Sequence, residues 1–274
     1  MVTAFDPHIG HAWIERVQGR DRERLRDELA VEEPLEIRVD GRALAVTMRT
    51  PGEDEELAAG FLAGEGLISG PDDLTAVGLT EDLAANVIEV RTRAGLRRDP
   101  ARERSFYLTS SCGVCGKGAL EFVRREVPPQ AAGAPSVAIE PEAVLAAPDR
   151  ARSEQDAFRQ TGGLHATALF AATGELLVLR EDVGRHNAMD KALGSRLLAG
   201  DYPLVGQSLY ACLSGRASFE LVQKASVAGL AGILAVGAPS TLAVELAREE
   251  GLLLCGFVRG ESFNVYAGSH RLAG

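Results

Sequence analysis

In YLTSSCGVCGKG, residues 107 to 118, two cysteines stand three positions apart, each followed by glycine, in a chain that has only four cysteines. Three chemistries suit Cys112 and Cys115. As a metal clamp they supply two of the four ligands of a structural zinc, and Cys212, Cys255 or histidines would have to supply the rest. As a redox pair they lie after a predicted strand and before a predicted helix, where a thiol pKa falls below its free value of about 8.5, with Lys117 adding positive charge. As a carrier, one thiolate swings with its cargo on a loop loosened by two glycines and a preceding Ser/Thr run. Cys212 and Cys255 fall inside strand patterns, where a buried cysteine behaves as a small hydrophobe.

Three more stretches gather polar side chains around a glycine at the predicted end of a strand. LREDVGRHN places Asp182, Arg185, His186 and Asn187 around Gly184. LSGRAS places Ser214, Arg216 and Ser218 around Gly215, and FVRGESFN places Arg259, Glu261 and Asn264 around Gly260. Each alone reads as a turn with a capping residue. Three at equivalent edges of one sheet predict a pocket, because ligands of open α/β sheets collect beyond strand ends where helices begin. Glycine admits close backbone approach, arginine favours anions, and Asp or Asn can read the edge of a base or sugar. A nucleotide-like ligand with phosphate groups fits, although neither a Walker loop nor a G-x-G-x-x-G fingerprint is present. His165, in TGGLHATALF, reads as a structural histidine. Zinc deaminases carry H-x-E ahead of P-C-x-x-C; here Thr167 replaces the glutamate and the cysteines come first, so that chemistry has lost its acid/base residue while a related fold remains open.

The elements that must position these groups follow from periodicity. LEIRVDGRALAVTMR, residues 35 to 49, alternates apolar and polar around Asp40-Gly41, a two-residue hairpin. Pro51 and Gly52 end the strand, and a helix follows with acidic residues 53 to 56 at its start and Leu57, Phe61 and Leu62 on one face. NVIEVR and SFYLT are predicted strands, GALEFVRREV a helix, and PPQAAGAP (128 to 135) a linker. Beyond Gly162, strands ATALF and LLVL flank Thr173-Gly174. RHNAMDKALGSRLLAG, SFELVQKASVAGLA and STLAVELAREE then alternate as helices with strands SLYACL, ILAVG and LLLCGFV, which predicts parallel crossovers. The expected organisation is an N-terminal extension (1–30), a small α+β domain (31–111), the cysteine loop with its helix and linker (112–135), and an α/β domain (136–274).

The formal charge of −10 over 274 residues argues against nucleic acid, which binds basic surfaces. RTRAGLRRDPARER, residues 91 to 104, is a local exception, read as a solvated loop or a docking surface for an acidic or phosphorylated partner. No apolar run approaches the roughly 18 residues that span a bilayer, and no secretory signal is visible. A reducing cytoplasm is therefore expected, where paired cysteines are catalytic or metal-binding rather than staples.

VEEPLEIRVDG, RTPGEDEELAAGFLAGEGLI, SSCGVCG, TGGLHATALF, EDVGRHNAMDKALG, SGRASFELVQKA and GFVRG together resemble the formate dehydrogenase accessory sulfurtransferase (FdhD) family. The resemblance runs from about residue 30 to the C-terminus. It implies a sulfurtransferase that takes sulfane sulfur from a cysteine desulfurase and passes it to the molybdenum bis(pterin guanine dinucleotide) cofactor, bound as substrate, for formate dehydrogenase. Cys112 then bears the persulfide, Cys115 neighbours it, and Phe257, Val258, Arg259, Gly260, Glu261 and Ser262 form the cofactor-binding segment. Asp182, His186, Ser214 and Arg216 join the pocket on the strand-end argument alone. The resemblance also implies a cytidine-deaminase-like three-layer α/β core with a smaller N-terminal ubiquitin-roll-like α+β domain, no permanently bound cofactor or metal, and room for a homodimer. A zinc-binding interaction protein or a thiol-disulfide oxidoreductase are the competing functions.

Overall fold

The computed structural model describes residues 6–78, 86–97 and 137–274. The Cys112–Cys115 loop, the strand read in SFYLT, the helix after Cys115, the linker at 128 to 135 and the arginine-rich stretch beyond residue 97 lie outside the described residues.

Residues of the expected N-terminal extension form a ribbon. β1 (Ile9–Gln18) and β2 (Asp21–Ala30) pair antiparallel around a turn in which Gly19 takes a φ of 65°. The next hairpin matches the sequence pattern: β3 (Glu33–Val39) and β4 (Arg42–Arg49) join through Asp40 and Gly41, with φ of 51° and 79°, the two positive values a type I′ turn requires. β5 (Leu74–Gly78) and β6 (Val87–Thr92) complete a four-stranded sheet in the order β4-β3-β6-β5, in which β3 and β6 are parallel. Helix α1 (Asp54–Gly64) covers one face of this sheet, burying Leu57 and Leu62 against Leu35, Ile37, Ile88 and Val90.

The second sheet has six strands in the order β12-β11-β10-β9-β7-β8. β7 (His165–Ala171) and β8 (Leu176–Asp182) form the expected hairpin, and β7 runs antiparallel to β9 (Leu209–Leu213). β9, β10 (Gly232–Ala235) and β11 (Leu253–Arg259) are parallel, as the helix-strand alternation predicts. β12 (Ser262–Ala267), which the sequence pattern did not reveal, returns antiparallel on β11. Two helices were also unread: α2 (Pro141–Ser153) and α3 (Asp156–Thr161). α4 (Arg185–Leu198), α5 (Phe219–Ala228) and α6 (Thr241–Glu249) lie where the periodicity puts them.

Alternate residues of a strand face opposite sides, and the core divides accordingly. Leu169, Ala211, Leu213, Ile233 and Leu254 pack against α4, α5 and α6, while Phe170, Tyr210, Cys212, Leu234 and Cys255 pack against α2. The large sheet is thus the middle of three layers. The small sheet and α1 belong to the same buried cluster as α4 to α6, so the two sheets share one core.

That shared core depends on a helix crossing too close for side chains. A Cβ added at Gly60 of α1 would stand 1.8 Å from the Asp190 carbonyl oxygen of α4, and one at Gly194 would stand 1.8 Å from the Glu56 carbonyl oxygen. No helix among the described residues is long and apolar enough to cross a membrane. Gly60→Ala is predicted to lower stability by about 3 kcal/mol or more, since backbone rather than a flexible side chain must move. Urea unfolding measures it, and a loss below about 0.5 kcal/mol contradicts the crossing.

Candidate functional site: the rim of the large sheet

β8 and β9 are both antiparallel to β7, hence parallel to each other, and β10 and β11 follow β9. The carboxyl ends of all four therefore share one edge with the start of β7. α4, α5 and α6 begin just beyond the ends of β8, β9 and β10, so three helix N-termini face this edge with unpaired amide groups. Ser240 caps α6, its hydroxyl accepting from Ala243 N–H at 3.2 Å.

Hydrogen bonds join the strand ends laterally. Ser214 N–H donates to the Ala166 carbonyl at 3.0 Å, and Ser214 Oγ accepts from Ala166 N–H at 2.9 Å. Gly237 N–H donates to the Gly215 carbonyl at 2.9 Å, and Phe257 N–H donates to the Gly237 carbonyl at 3.1 Å. Phe257 reaches that partner through a bulge in β11, its φ at 53°. Gly237 is tied to its place by space: a Cβ there would lie 3.0 Å from Arg216 Cγ. Three glycine- or serine-rich loops thereby make one backbone wall.

The side chains set on this wall divide into those facing solvent and those spent inside. Ser214 is half-buried, Arg216 exposed, and His186 one-third exposed. His186 Nε2 stands 2.8 Å from Glu220 Oε2 and 3.3 Å from Ser218 Oγ. Its hydrogen bond to the imidazole is the main influence holding the Glu220 carboxyl below the usual range. Both partners meet the same ring nitrogen, so the trio cannot act as a serine-nucleophile relay, which needs one nitrogen for each. Phe257 is half-buried with the Arg259 guanidinium 5.8 Å from its ring centre. Arg259, Gly260, Glu261 and Ser262 are exposed at the β11–β12 turn, which is an antiparallel return rather than the start of a helix.

Two residues of the expected pocket point inward. Val258 is fully buried under α2. Asp182 is fully buried as well, and its carboxylate accepts from Thr50 N–H at 3.1 Å, Gly184 N–H at 2.8 Å and Asn187 Nδ2 at 3.0 Å, with Lys191 Nζ also at 3.0 Å. It builds the wall rather than facing what the wall holds. Cys212 and Cys255 lie in one cross-strand row with Leu234 between them, and burial pushes both thiols up to about 12, the inert core cysteines their strand patterns predict. Among the described residues no group of three or more His, Cys, Asp or Glu side chains could hold a metal ion.

His165, read from sequence as structural, belongs to this rim. It opens β7 opposite Asp182, and its ring lies against Gly215, where a Cβ would be 3.4 Å from Nδ1. Burial, then the positive charges of Arg185 and His186, hold its pKa below 6.5, against a smaller opposing pull from Asp182. The end of β10 was also missed. VGAPS there repeats the strand, glycine, serine, helix order of LSGRAS, which was the available signal.

The model of the FdhD/NarQ family matches residues 30–273. The chain belongs to the FdhD/NarQ family. Among its relatives, the sulfur carrier protein FdhD of Streptomyces avermitilis is 52% identical over 254 residues, covering 90% of this chain and 89% of the relative. That of Anaeromyxobacter dehalogenans is 46% identical over 276 residues, covering 95% and 94%. A crystal structure of a protein from Desulfotalea psychrophila, assigned there as a formate dehydrogenase accessory protein, shares the fold with a TM-score of 0.75, covering 97% of this chain and all of that one, at 24% identity.

The cationic rim predicts a measurable titration. The His165 imidazole should titrate below 6.5 by NMR, and Arg185→Gln should move it upward by removing the larger of the two neighbouring charges. Its lowered value means stability is full above 6.5 and falls as pH drops through the folded-state value. An unmoved titration in Arg185→Gln would separate His165 from the rim's field.

Proposed function

We propose that the protein is a sulfur carrier which accepts sulfane sulfur from a cysteine desulfurase as a persulfide on Cys112 and passes it to the molybdenum bis(pterin guanine dinucleotide) cofactor before that enters formate dehydrogenase. The observation that carries this reading is the 52% identity to a sulfur carrier protein FdhD across nine tenths of both chains. The rim supports it by offering what a guanine dinucleotide needs: three helix N-termini and Arg216 for phosphates, and half-buried His165, His186 and Ser214 for polar edges. Arg259 to Ser262 stand exposed on the same side, where they can close over a bound nucleotide.

The sulfur chemistry balances with the two cysteines alone. Thiolate Cys112 attacks the terminal sulfur of the desulfurase persulfide, the desulfurase thiolate leaves, and Cys112-S-SH results. Release as sulfide needs two electrons. Cys115 supplies them by attacking the inner sulfur: the Cys112–Cys115 disulfide forms, hydrosulfide departs, and two thiol sulfurs are oxidised as the sulfane sulfur is reduced. A rim that fixes the nucleotide end of the substrate positions its metal for the departing sulfur, and positioning of this kind supplies much of such a rate.

Incubation with a cysteine desulfurase and cysteine should add one sulfur atom to the intact protein by mass spectrometry, and Cys112→Ser should abolish the gain. GDP should bind the unmodified protein, with Arg216→Glu weakening it by roughly tenfold or more as a charge-assisted contact becomes a repulsion. Persulfide on Cys112→Ser would remove the carrier assignment, and GDP affinity unchanged in Arg216→Glu would move the nucleotide off this rim.

A further inference from the structure

The β1–β2 ribbon takes no part in the rim, and all of it but Ala30 precedes the stretch that the family model matches. Among the described residues it stays two-stranded, with no strand added on either side. A ribbon of two strands is marginal by itself, and this one is held at its base, where Val31 N–H donates to the His8 carbonyl at 2.9 Å and β2 meets α3. The two edges differ. β2, DRERLRDELA, is charged along nearly all its length, the usual protection against strand addition, whereas the middle of β1 reads HAWI.

The two faces differ as well. Alternate residues share a face, so the register sets Trp13 and Val17 beside Arg22, Arg24 and Arg26. Trp13 is 66% exposed and Val17 57% exposed, the two most exposed apolar side chains of this face. Arg24 holds its guanidinium 5.3 Å over the Trp13 ring, and Arg26 lies directly opposite Trp13. Arg22 takes the Glu15 carboxylate at 3.2 Å. Glu15 stands opposite Arg24 in the register and Glu28 shares the face, yet Arg24 and Arg26 form no ion pair among the described residues, in a chain of net charge −10.

We infer that this face docks an extended acidic segment of a partner protein, laid along the open edge of β1 with an apolar side chain on Trp13 and carboxylates on Arg24 and Arg26. Charge complementarity selects the occupant. The two arginines are two residues apart on one strand, about 7 Å, which is the spacing of alternate side chains in an extended peptide. Main-chain pairing to an open edge gives affinity, and pockets for alternate side chains give selection. Arg24 already stacked on the indole is preset for a bidentate carboxylate.

Trp13 is the only tryptophan of the chain, so its fluorescence reports on this face alone. Titrating the intact protein with a synthetic acetylated peptide Val-Thr-Glu-Thr-Glu, whose alternate residues put the valine and both carboxylates on one face, should shift the emission to the blue and saturate, with affinity falling as salt rises. The lysine counterpart should not bind, and the double variant Arg24→Glu with Arg26→Glu should bind the acidic peptide at least about tenfold more weakly. Arg24→Gln with Arg26→Gln, checked for native circular dichroism, gives the same comparison should charge reversal disturb the ribbon. Equal binding of the acidic and lysine peptides, or undiminished binding by either double variant, overturns the inference. A blue shift that grows with protein concentration alone, with doubled mass by light scattering, puts a second copy on this face and also overturns it.

Discussion

The carboxylate of Asp182 is the point on which the rest is hung. It ends β8 fully buried, and its two oxygens gather the Thr50 amide from the end of β4, the Gly184 amide at the start of α4, the Asn187 side chain and the Lys191 ammonium. Lys191 returns to the Thr50 carbonyl at 2.9 Å, and Asn187 to the Met48 carbonyl at 2.7 Å. One buried anion thus fastens the small sheet to the large one at the place where α4 begins. A buried charge is tolerated only when it is paired and fully hydrogen-bonded, and losing one partner of such a pair typically costs about 3–5 kcal/mol. The Gly60–Gly194 crossing acts with it, bringing the backbones of α1 and α4 into contact so that Asp182 and Thr50 can meet.

From that anchor the rim follows by topology. A hairpin, β7–β8, added antiparallel to three parallel strands brings four carboxyl ends to one edge. Three of these lead straight into helices, and the loops between are short enough for Gly215, Gly237 and Phe257 to continue the sheet's lateral hydrogen bonding past the strand ends. The result is a wall of backbone with positive helix ends behind it. Arginines and histidines stand in front. The proposed nucleotide site rests on this arrangement before any single side chain is considered, since helix starts and backbone amides favour anions.

Much of this was legible in the sequence, because the strongest signals are local. Asp40-Gly41 announces its turn, and the helix-strand alternation after Gly162 yields the parallel strands and α4 to α6. What local pattern cannot show is direction inside a polar cluster. Asp182 stands among Arg185, His186 and Asn187 in sequence, yet it turns inward because Lys191, two helical turns along α4, needs a counter-ion. The bulge at Phe257 resets the alternation of β11 and sends Val258 to the α2 side of the sheet, where it is buried. The ribbon escaped notice because Leu25, Leu29 and Ala30 are the apolar residues of β2, too few for a period to act on. His165 was legible as a residue but not as a neighbour, since Gly215 and Arg185 reach it only through the fold.

Carriage of sulfur on Cys112 and delivery at this rim are tested most directly by following the atom itself. The protein is loaded with isotopically labelled persulfide, freed of excess label and mixed with sulfur-deficient guanine dinucleotide cofactor in a single turnover. The label should arrive on the cofactor as it leaves the protein, and excess GDP occupying the rim should block the transfer. Label that reaches the cofactor at full rate with the rim filled by GDP, or that stays on the protein while the cofactor matures, would contradict delivery from Cys112 at this site.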